Sequence, residues 1–287
     1  MRRTFSSSFS ALALVLALVP ACKPSEPPTL TELQALGDVE RAGKRLMDAP
    51  PGLHRLDPEA GPRRAALVAV HGFESRGKEW IDPLFALADN GVELHFFRWN
   101  DKQCPEAGAR DLSAALRSLV AGRPDLERVT VLAHSYGGVI STLVAQGEAM
   151  GVPIDLHIIA SPLASVPKMR DLCDFEGVPS SAATGAESWR QWRTVHSEDG
   201  AFKDLEVDPQ VVTLPDLEVT SLPATYEGGR LGHNRSITFV TRELDPQIVE
   251  GAAQAAEPAA TPPSTEVAPP VEAPADVPAG EAAAAAE

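Results

Sequence analysis

The chain has 287 residues and a formal net charge of −15, from 40 acidic and 25 basic side chains. Binding to the phosphates of nucleic acid requires a basic face, so the charge balance argues against a nucleic-acid partner. The length leaves room for one domain with a sizeable core between two ends of biased composition.

The N-terminus has the form of a targeting segment. Two arginines precede an apolar stretch, residues 9–19, which is shorter than the roughly 20 apolar residues that a membrane helix needs. Residues 19–22 read VPAC, which resembles the lipobox of bacterial lipoproteins, where the cysteine is lipidated and becomes the first mature residue. We therefore predict a lipoprotein signal peptide at residues 1–21, a tether at 22–30, and a lipid anchor on Cys22. The protein would then be held at a membrane of the bacterial envelope, facing the periplasm or the exterior. An ordinary secretory signal that contains a cysteine is the alternative.

The C-terminal residues 251–287 consist almost only of Ala, Pro, Glu, Val and Thr, with no aromatic residue, Lys or Arg. Such a segment cannot bury enough apolar surface to offset the entropy lost on ordering. We predict that it is disordered, which leaves residues 31–250 as the folded domain.

Between these ends, short apolar runs alternate with amphipathic helical patterns. In chain order, the predicted elements are a helix at 31–46, a strand at 65–71, a helix at 81–88, a strand at 92–99, a helix at 109–119, a strand at 128–134, a helix at 137–150, a strand at 155–160, strands near 192–196 and 217–222, and a helix after Gly232. This alternation is typical of the α/β class, with a mostly parallel sheet and helices on both of its faces.

One strand, turn and helix carry a candidate nucleophile. Residues 129–141 read VTVLAHSYGGVIS. The segment resembles the nucleophile elbow of the α/β-hydrolases, GxSxG, with Ala133 in place of the first glycine. The resemblance implies that Ser135 is the nucleophile of an α/β-hydrolase-like domain.

A second motif follows the first strong strand, which ends in His71-Gly72-Phe73. It resembles the HG motif that leads into the oxyanion loop of this superfamily. The resemblance implies that the backbone N–H groups of Phe73 and Tyr136 stabilise the negative charge that develops during acyl transfer. The alternative is that Gly72 only lets the chain turn after the strand.

The superfamily places its triad in the chain order Ser, then Asp or Glu, then His. Three of the seven histidines follow Ser135, namely His157, His196 and His233. His233 alone lies after the last predicted strand, so the resemblance assigns it as the base.

The acid of the triad usually follows the strand after the lid region. Asp199 has this position, a few residues past the strand predicted near 192–196 and next to a glycine. Its immediate rival is Glu198, and Asp171 and Asp174 are weaker candidates. An acidic turn at the surface is the alternative for all of them.

Two cysteines remain besides Cys22. Cys104 and Cys173 follow different predicted strands and should lie at the same carboxyl edge of the sheet. In an oxidising envelope they could form a disulfide that ties down the insert at 161–188, and two free buried thiols are the alternative. The insert is short, so the resemblance implies a small or absent lid.

The resemblance covers residues 65–249 and implies a serine hydrolase that acts on an ester or related acyl bond through an acyl-enzyme. It implies no cofactor and no metal, and a small-molecule or lipid acyl substrate. Two alternatives remain open. One is an acyltransferase with the same triad, and the other is a non-catalytic binding module of the envelope.

Overall fold

The computed structural model describes residues 26–88 and 90–256, with no side chains described for residues 245–256. The predicted signal peptide, Cys22 and residues 257–287 of the predicted tail lie outside the described residues. No helix among the described residues is both long enough and apolar enough to cross a membrane.

A seven-stranded sheet forms the centre of the domain. In chain order its strands are β1 (Gly52–Arg55), β2 (Ala65–Val70), β3 (Glu93–Arg98), β4 (Arg128–His134), β5 (Ile154–Ile159), β6 (Ser188–Arg193) and β7 (Glu218–Ser221). They lie in the order β1-β3-β2-β4-β5-β6-β7. β1 pairs antiparallel with β3, and all other neighbours are parallel, as predicted. Two short strands, β8 (Thr225–Tyr226) and β9 (Gly229–Arg230), form a separate antiparallel pair.

Helices cover both faces of the sheet. They are α1 (Leu30–Ala35), α2 (Val39–Met47), α3 (Lys78–Leu87), α4 (Pro105–Gly122), α5 (Tyr136–Ala145), α6 (Pro167–Cys173) and α7 (Gly232–Ala256). Successive side chains of a strand point to opposite faces. Along β2, Ala66, Val68 and Val70 pack with α4 and α5, whereas Ala65, Leu67 and Ala69 pack towards α1, α2, α3 and α7. The predicted α/β class with helices on both faces is therefore confirmed.

Several element boundaries differ from the sequence prediction. The single helix expected at 31–46 is two helices, because Gly37 has a φ of +62° and Asp38 caps α2 by accepting a hydrogen bond from the Arg41 N–H at 2.8 Å. α1 also includes Leu30, the last residue of the predicted tether. β6 begins four residues earlier than expected. At the other end, α7 continues to Ala256, past the predicted start of the tail at 251, where alanine favours helix.

The insert between β5 and β6 contains one seven-residue helix, α6. Cys173 at the end of α6 is joined by a disulfide to Cys104, which immediately precedes α4, with 5.5 Å between the two Cα atoms. The bond ties the insert to the main body at the carboxyl edge of the sheet. Any lid over that edge is therefore small.

α5 approaches β2 so closely that no side chain fits between them. A Cβ atom on Gly137 would lie 2.5 Å from the carbonyl oxygen of Val70 and 2.6 Å from that of His71. Both obstacles are backbone atoms, one in the last residue of β2 and one in the residue after it, so they cannot move aside as the end of a flexible side chain would. Glycine at this position is therefore required by packing.

We predict that Gly137→Ala lowers the free energy of unfolding by about 1–3 kcal/mol, because the added methyl group overpacks a rigid contact. The matched control is Gly122→Ala at the end of α4, where an added Cβ has nothing within 4 Å. Urea unfolding of both variants measures the difference. Equal unfolding midpoints for the two would contradict the packing argument.

Candidate active site

Ser135 lies on the turn between β4 and α5, at the carboxyl end of β4. Its backbone angles are φ 54° and ψ −123°, a region that residues with a side chain rarely occupy. The Ser135 N–H donates a hydrogen bond to the carbonyl oxygen of Ile159 at 2.9 Å, which fixes the turn to the end of β5. The strained turn lifts the hydroxyl out of the strand at the edge of the sheet.

Small residues surround this turn on both sides. A Cβ on Gly72 would lie 2.8 Å from the Cβ of Ser135, and a Cβ on Gly138 would lie 1.8 Å from the Oγ of Ser161. The φ angle of Gly72 is not positive, so it is close approach to Ser135 and not turn conformation that requires glycine there. The loop that continues into Phe73 thus passes directly beside Ser135.

The structure brings His233 and Asp199 together. His233 is the second residue of α7, and its Nδ1–H donates to the Oδ2 of Asp199 at 3.0 Å. The buried Asp199 also accepts hydrogen bonds from the Thr194 hydroxyl and, at 2.8 Å, from the Ala201 N–H. With Nδ1 acting as the donor, the Nε2 of a neutral imidazole is left as an acceptor.

Two opposing effects act on the charge of Asp199. Burial by itself raises the pKa of the carboxyl group, but the hydrogen bond and charge of His233, with the hydrogen bonds from Thr194 and Ala201, outweigh it and lower the pKa. Asp199 is therefore a carboxylate at neutral pH, able to hold His233 in one tautomer.

Two rings hold the His233 imidazole in place. The edge of Phe202 meets it with 5.0 Å between ring centroids, and the ring of His134 lies 4.5 Å away. The His134 Nε2–H donates to the carbonyl oxygen of His233 at 3.1 Å. Burial, followed by the charge of His233, lowers the pKa of His134 well below its ordinary value, so this second ring is neutral. Neither ring was identified from the sequence as part of the site, because each is distant from His233 along the chain.

The rival histidines bond to other groups, and the carboxylate that bonds His233 is that of Asp199. His157 accepts a hydrogen bond from the Trp192 indole N–H at 3.3 Å, and His196 donates to the carbonyl oxygen of Phe202 at 2.8 Å. Asp171 and Asp174 are exposed on α6 and at its end. Glu198 is adjacent to Asp199 in the chain, but it is Asp199 whose carboxylate bonds His233.

The predicted oxyanion donors lie beside Ser135. Tyr136 is the first residue of α5, so its N–H has no carbonyl partner within the helix and lies at the positive end of the helix dipole. His71 supports the loop that carries Phe73: its Nδ1–H donates to the carbonyl oxygen of Gly72 at 2.8 Å, and its Nε2 accepts from the Trp99 N–H at 3.3 Å. Burial lowers the pKa of His71 to about 4, so this ring is neutral.

Two cavities meet at Ser135. One, of about 470 Å³, has a mostly apolar wall that includes Met169, Leu172, Phe202 and Leu205. The other, of about 380 Å³, has a mostly polar wall. Ser135 and His233, together with Phe73, line both. The ring of Phe73 is flanked by the ammonium groups of Lys102, 3.9 Å from its centroid, and Lys168, 4.0 Å from it.

Comparisons with solved structures find similar folds at low identity. One is XC6422 from Xanthomonas campestris, described as an a/b serine hydrolase without lid, with 15% identity over 69% of this chain and 87% of that chain and a TM-score of 0.47. Another is Est1E from Butyrivibrio proteoclasticus, with 14% identity over 70% of this chain and 93% of that chain and a TM-score of 0.49. A third is the Pyrococcus furiosus esterase Pf2001, with 14% identity, 67% and 83% coverage, and a TM-score of 0.44.

No curated protein matches the chain significantly. The sequence profile of the Alpha/beta hydrolase family matches residues 67–284, well over half of the chain. That span includes Phe73, Ser135, Asp199 and His233. The chain therefore belongs to the alpha/beta hydrolase family, which supports hydrolase activity.

Proposed function

We propose that the protein is a serine hydrolase that cleaves a carboxylic ester or a related acyl bond through an acyl-enzyme on Ser135. The observation that carries this proposal is the 3.0 Å hydrogen bond between the Nδ1 of His233 and the Oδ2 of Asp199. It orients a histidine in cavities that are also lined by the strained Ser135 turn.

In the proposed mechanism, the Oγ of Ser135 attacks the carbonyl carbon of the ester while the Nε2 of His233 accepts the hydroxyl proton. The tetrahedral intermediate collapses, and the imidazolium returns the proton to the departing alcohol. Water then attacks the acyl-enzyme with His233 again as the base, and Ser135 leaves as the free hydroxyl. Asp199 stays ionised throughout and stabilises the imidazolium each time it forms.

The charge on the carbonyl oxygen is assigned to the backbone amides of Phe73 and Tyr136. Each such donor, placed in advance, contributes about 2.7–4 kcal/mol to the stability of the transition state. The two amides come from different elements, the loop after β2 and the first turn of α5, which the close packing at Gly72 and Gly137 holds together. The substrate is a small-molecule or lipid ester, because an apolar wall adjoins Ser135.

The first test of this proposal uses a fluorophosphonate probe, which reacts with an activated serine. We expect the wild-type protein to be labelled on Ser135 and Ser135→Ala to remain unlabelled and lose activity by about 10⁴-fold or more. Ser161→Ala is the control, because this neighbouring serine is buried and its hydroxyl donates to the carbonyl oxygen of Ile159. A folded wild-type protein without any label would favour a binding module instead.

A second prediction concerns the acid of the triad. Asp199→Asn should lower kcat for a 4-nitrophenyl ester by up to about 10⁴, because an amide neither favours the required tautomer nor stabilises the imidazolium. Glu198→Gln and Asp174→Asn remove the same charge from nearby positions and should keep most of the activity. Thermal unfolding of all three separates loss of catalysis from loss of folding. If Glu198→Gln were the inactive variant, the role of Asp199 would be refuted.

We further propose that the protein is an envelope lipoprotein, anchored to the membrane through lipid on Cys22. Support comes from the VPAC sequence at residues 19–22 and from the Cys104–Cys173 disulfide, a bond typical of oxidising compartments. Acyl chains contribute about 0.8 kcal/mol per buried CH₂, and stable anchoring needs more than one chain.

Cys22→Ser should therefore move the protein from the membrane fraction to the soluble fraction, because the anchor is no longer attached. The control is the double variant Cys104→Ser, Cys173→Ser, which removes the disulfide but leaves Cys22 in place and should stay in the membrane fraction. Fractionation followed by immunoblotting measures both. Retention of processed Cys22→Ser in the membrane would favour the ordinary secretory signal with another mode of attachment.

A further inference from the structure

The two cavities at Ser135 differ in chemistry, and this difference bears on the substrate of the proposed esterase. One side of Ser135 is the apolar cavity of about 470 Å³ that includes residues of α6. The other is the polar cavity of about 380 Å³, which follows the loop from Gly72 to Arg76 and the first turn of α3 and reaches Asn234. An ester bound at Ser135 thus has apolar surroundings on one side of the scissile bond and polar surroundings on the other.

Four charged side chains line the polar cavity, and three of them are already engaged. Glu74 pairs with Lys102 at 3.1 Å. Lys78 pairs with Glu40 on α2. Glu79 accepts a hydrogen bond from the Ser75 hydroxyl. The carboxylates in this cavity are thus each matched by a donor or a cation.

The fourth charged side chain is Arg76. Among the described side chains, those of residues 26–88 and 90–244, no carboxylate lies within ion-pair distance of its guanidinium, and that group makes no hydrogen bond to them. Arg76 is exposed and lines the polar cavity. A guanidinium presents its donors in a planar fork that fits a carboxylate or phosphate with two parallel hydrogen bonds.

Lys168, in the wall of the apolar cavity, has a partner of another kind. Lys168 has no carboxylate partner among the described residues, but its ammonium lies 4.0 Å from the centroid of the Phe73 ring. An aromatic face attracts a cation, so this charge has a partner within the site. Arg76 is the cation of the two cavities that has neither kind of partner among the described residues.

We propose that the substrate is an ester whose acyl chain occupies the apolar cavity and whose alcohol part carries a carboxylate or phosphate that Arg76 binds. This inference depends on the proposed esterase function. The acyl chain stays on Ser135 during both steps, so contact with the apolar wall stabilises it throughout. The alcohol leaves after the first step and water takes its place, which suits a polar cavity that also releases an anionic product.

The test compares kcat/KM for two esters that differ in charge alone on the alcohol side, 2-(hexanoyloxy)acetate and 2-(hexanoyloxy)acetamide. The measured quantity is the ratio of the anionic to the neutral substrate within each protein, so that the difference in leaving-group reactivity cancels between proteins. We expect Arg76→Gln to lower this ratio about tenfold, a factor between those of an exposed ion pair and a charged hydrogen bond. Arg76→Lys should keep more of the ratio, because the charge remains.

Arg63→Gln is the charge-matched control. Arg63 is exposed just before β2, at the opposite end of the strand from Ser135, so the ratio should stay at the wild-type value. A phosphate ester, 2-(hexanoyloxy)ethyl phosphate, distinguishes the two anions, since the greater loss in Arg76→Gln identifies the one that Arg76 favours.

An unchanged ratio in Arg76→Gln would overturn the inference and leave the esterase proposal intact. If neither ester is hydrolysed, the esterase proposal fails for these substrates, and calorimetric binding of the intact esters to Ser135→Ala then tests anion recognition by Arg76 separately. About tenfold tighter binding of the anionic ester, lost when Arg76→Gln is added, supports anion recognition. Equal binding of the two esters overturns it.

Discussion

Ser135 holds a backbone conformation, φ 54° and ψ −123°, that an L-residue keeps only when its surroundings enforce it. Three contacts do so: the N–H bond to Ile159, the close approach of Gly72 to the serine side chain, and the close approach of Gly137 to the carbonyls of Val70 and His71. Each joins the turn to a different part of the parallel sheet. The position of the hydroxyl is therefore a property of three adjacent strands, and it depends on helix and sheet approaching more closely than side chains allow.

Three histidines lie at this same edge of the sheet, in different environments. Burial keeps His71 and His134 neutral, so they serve as hydrogen-bond donors to the carbonyl oxygens of Gly72 and His233. His233 alone among these three is bonded to a carboxylate, that of Asp199. A histidine that must accept and return a proton needs a partner for its charged form, and the neutral ring of His134 gives packing without competing for Asp199.

Local patterns predicted the parts of the fold that depend on neighbouring residues. β4, the turn and the start of α5 lie within fourteen residues of sequence, Arg128 to Ser141, and their apolar run and small residues give a complete signal. A local pattern could not decide between Asp199 and Glu198, because the choice depends on which of two adjacent carboxylates contacts α7 across the sheet edge. β1 also escaped prediction, since a four-residue edge strand has no distinctive periodicity. Arg76 carries no sequence signal, because the role proposed for it depends on its having no partner among the described side chains.

α6 forms part of the wall of the apolar cavity, yet its own packing contacts stabilise it only weakly in that position. It has seven residues and one buried side chain, Met169, and Leu172 is 70% exposed. An isolated helix of this length is unstable in water. The disulfide from Cys173 to Cys104 supplies a covalent connection to α4 at the point where α6 ends. The shape of the apolar cavity therefore depends on an oxidised pair of cysteines, which links the compartment proposed for the protein to the size of the group that its cavity accepts.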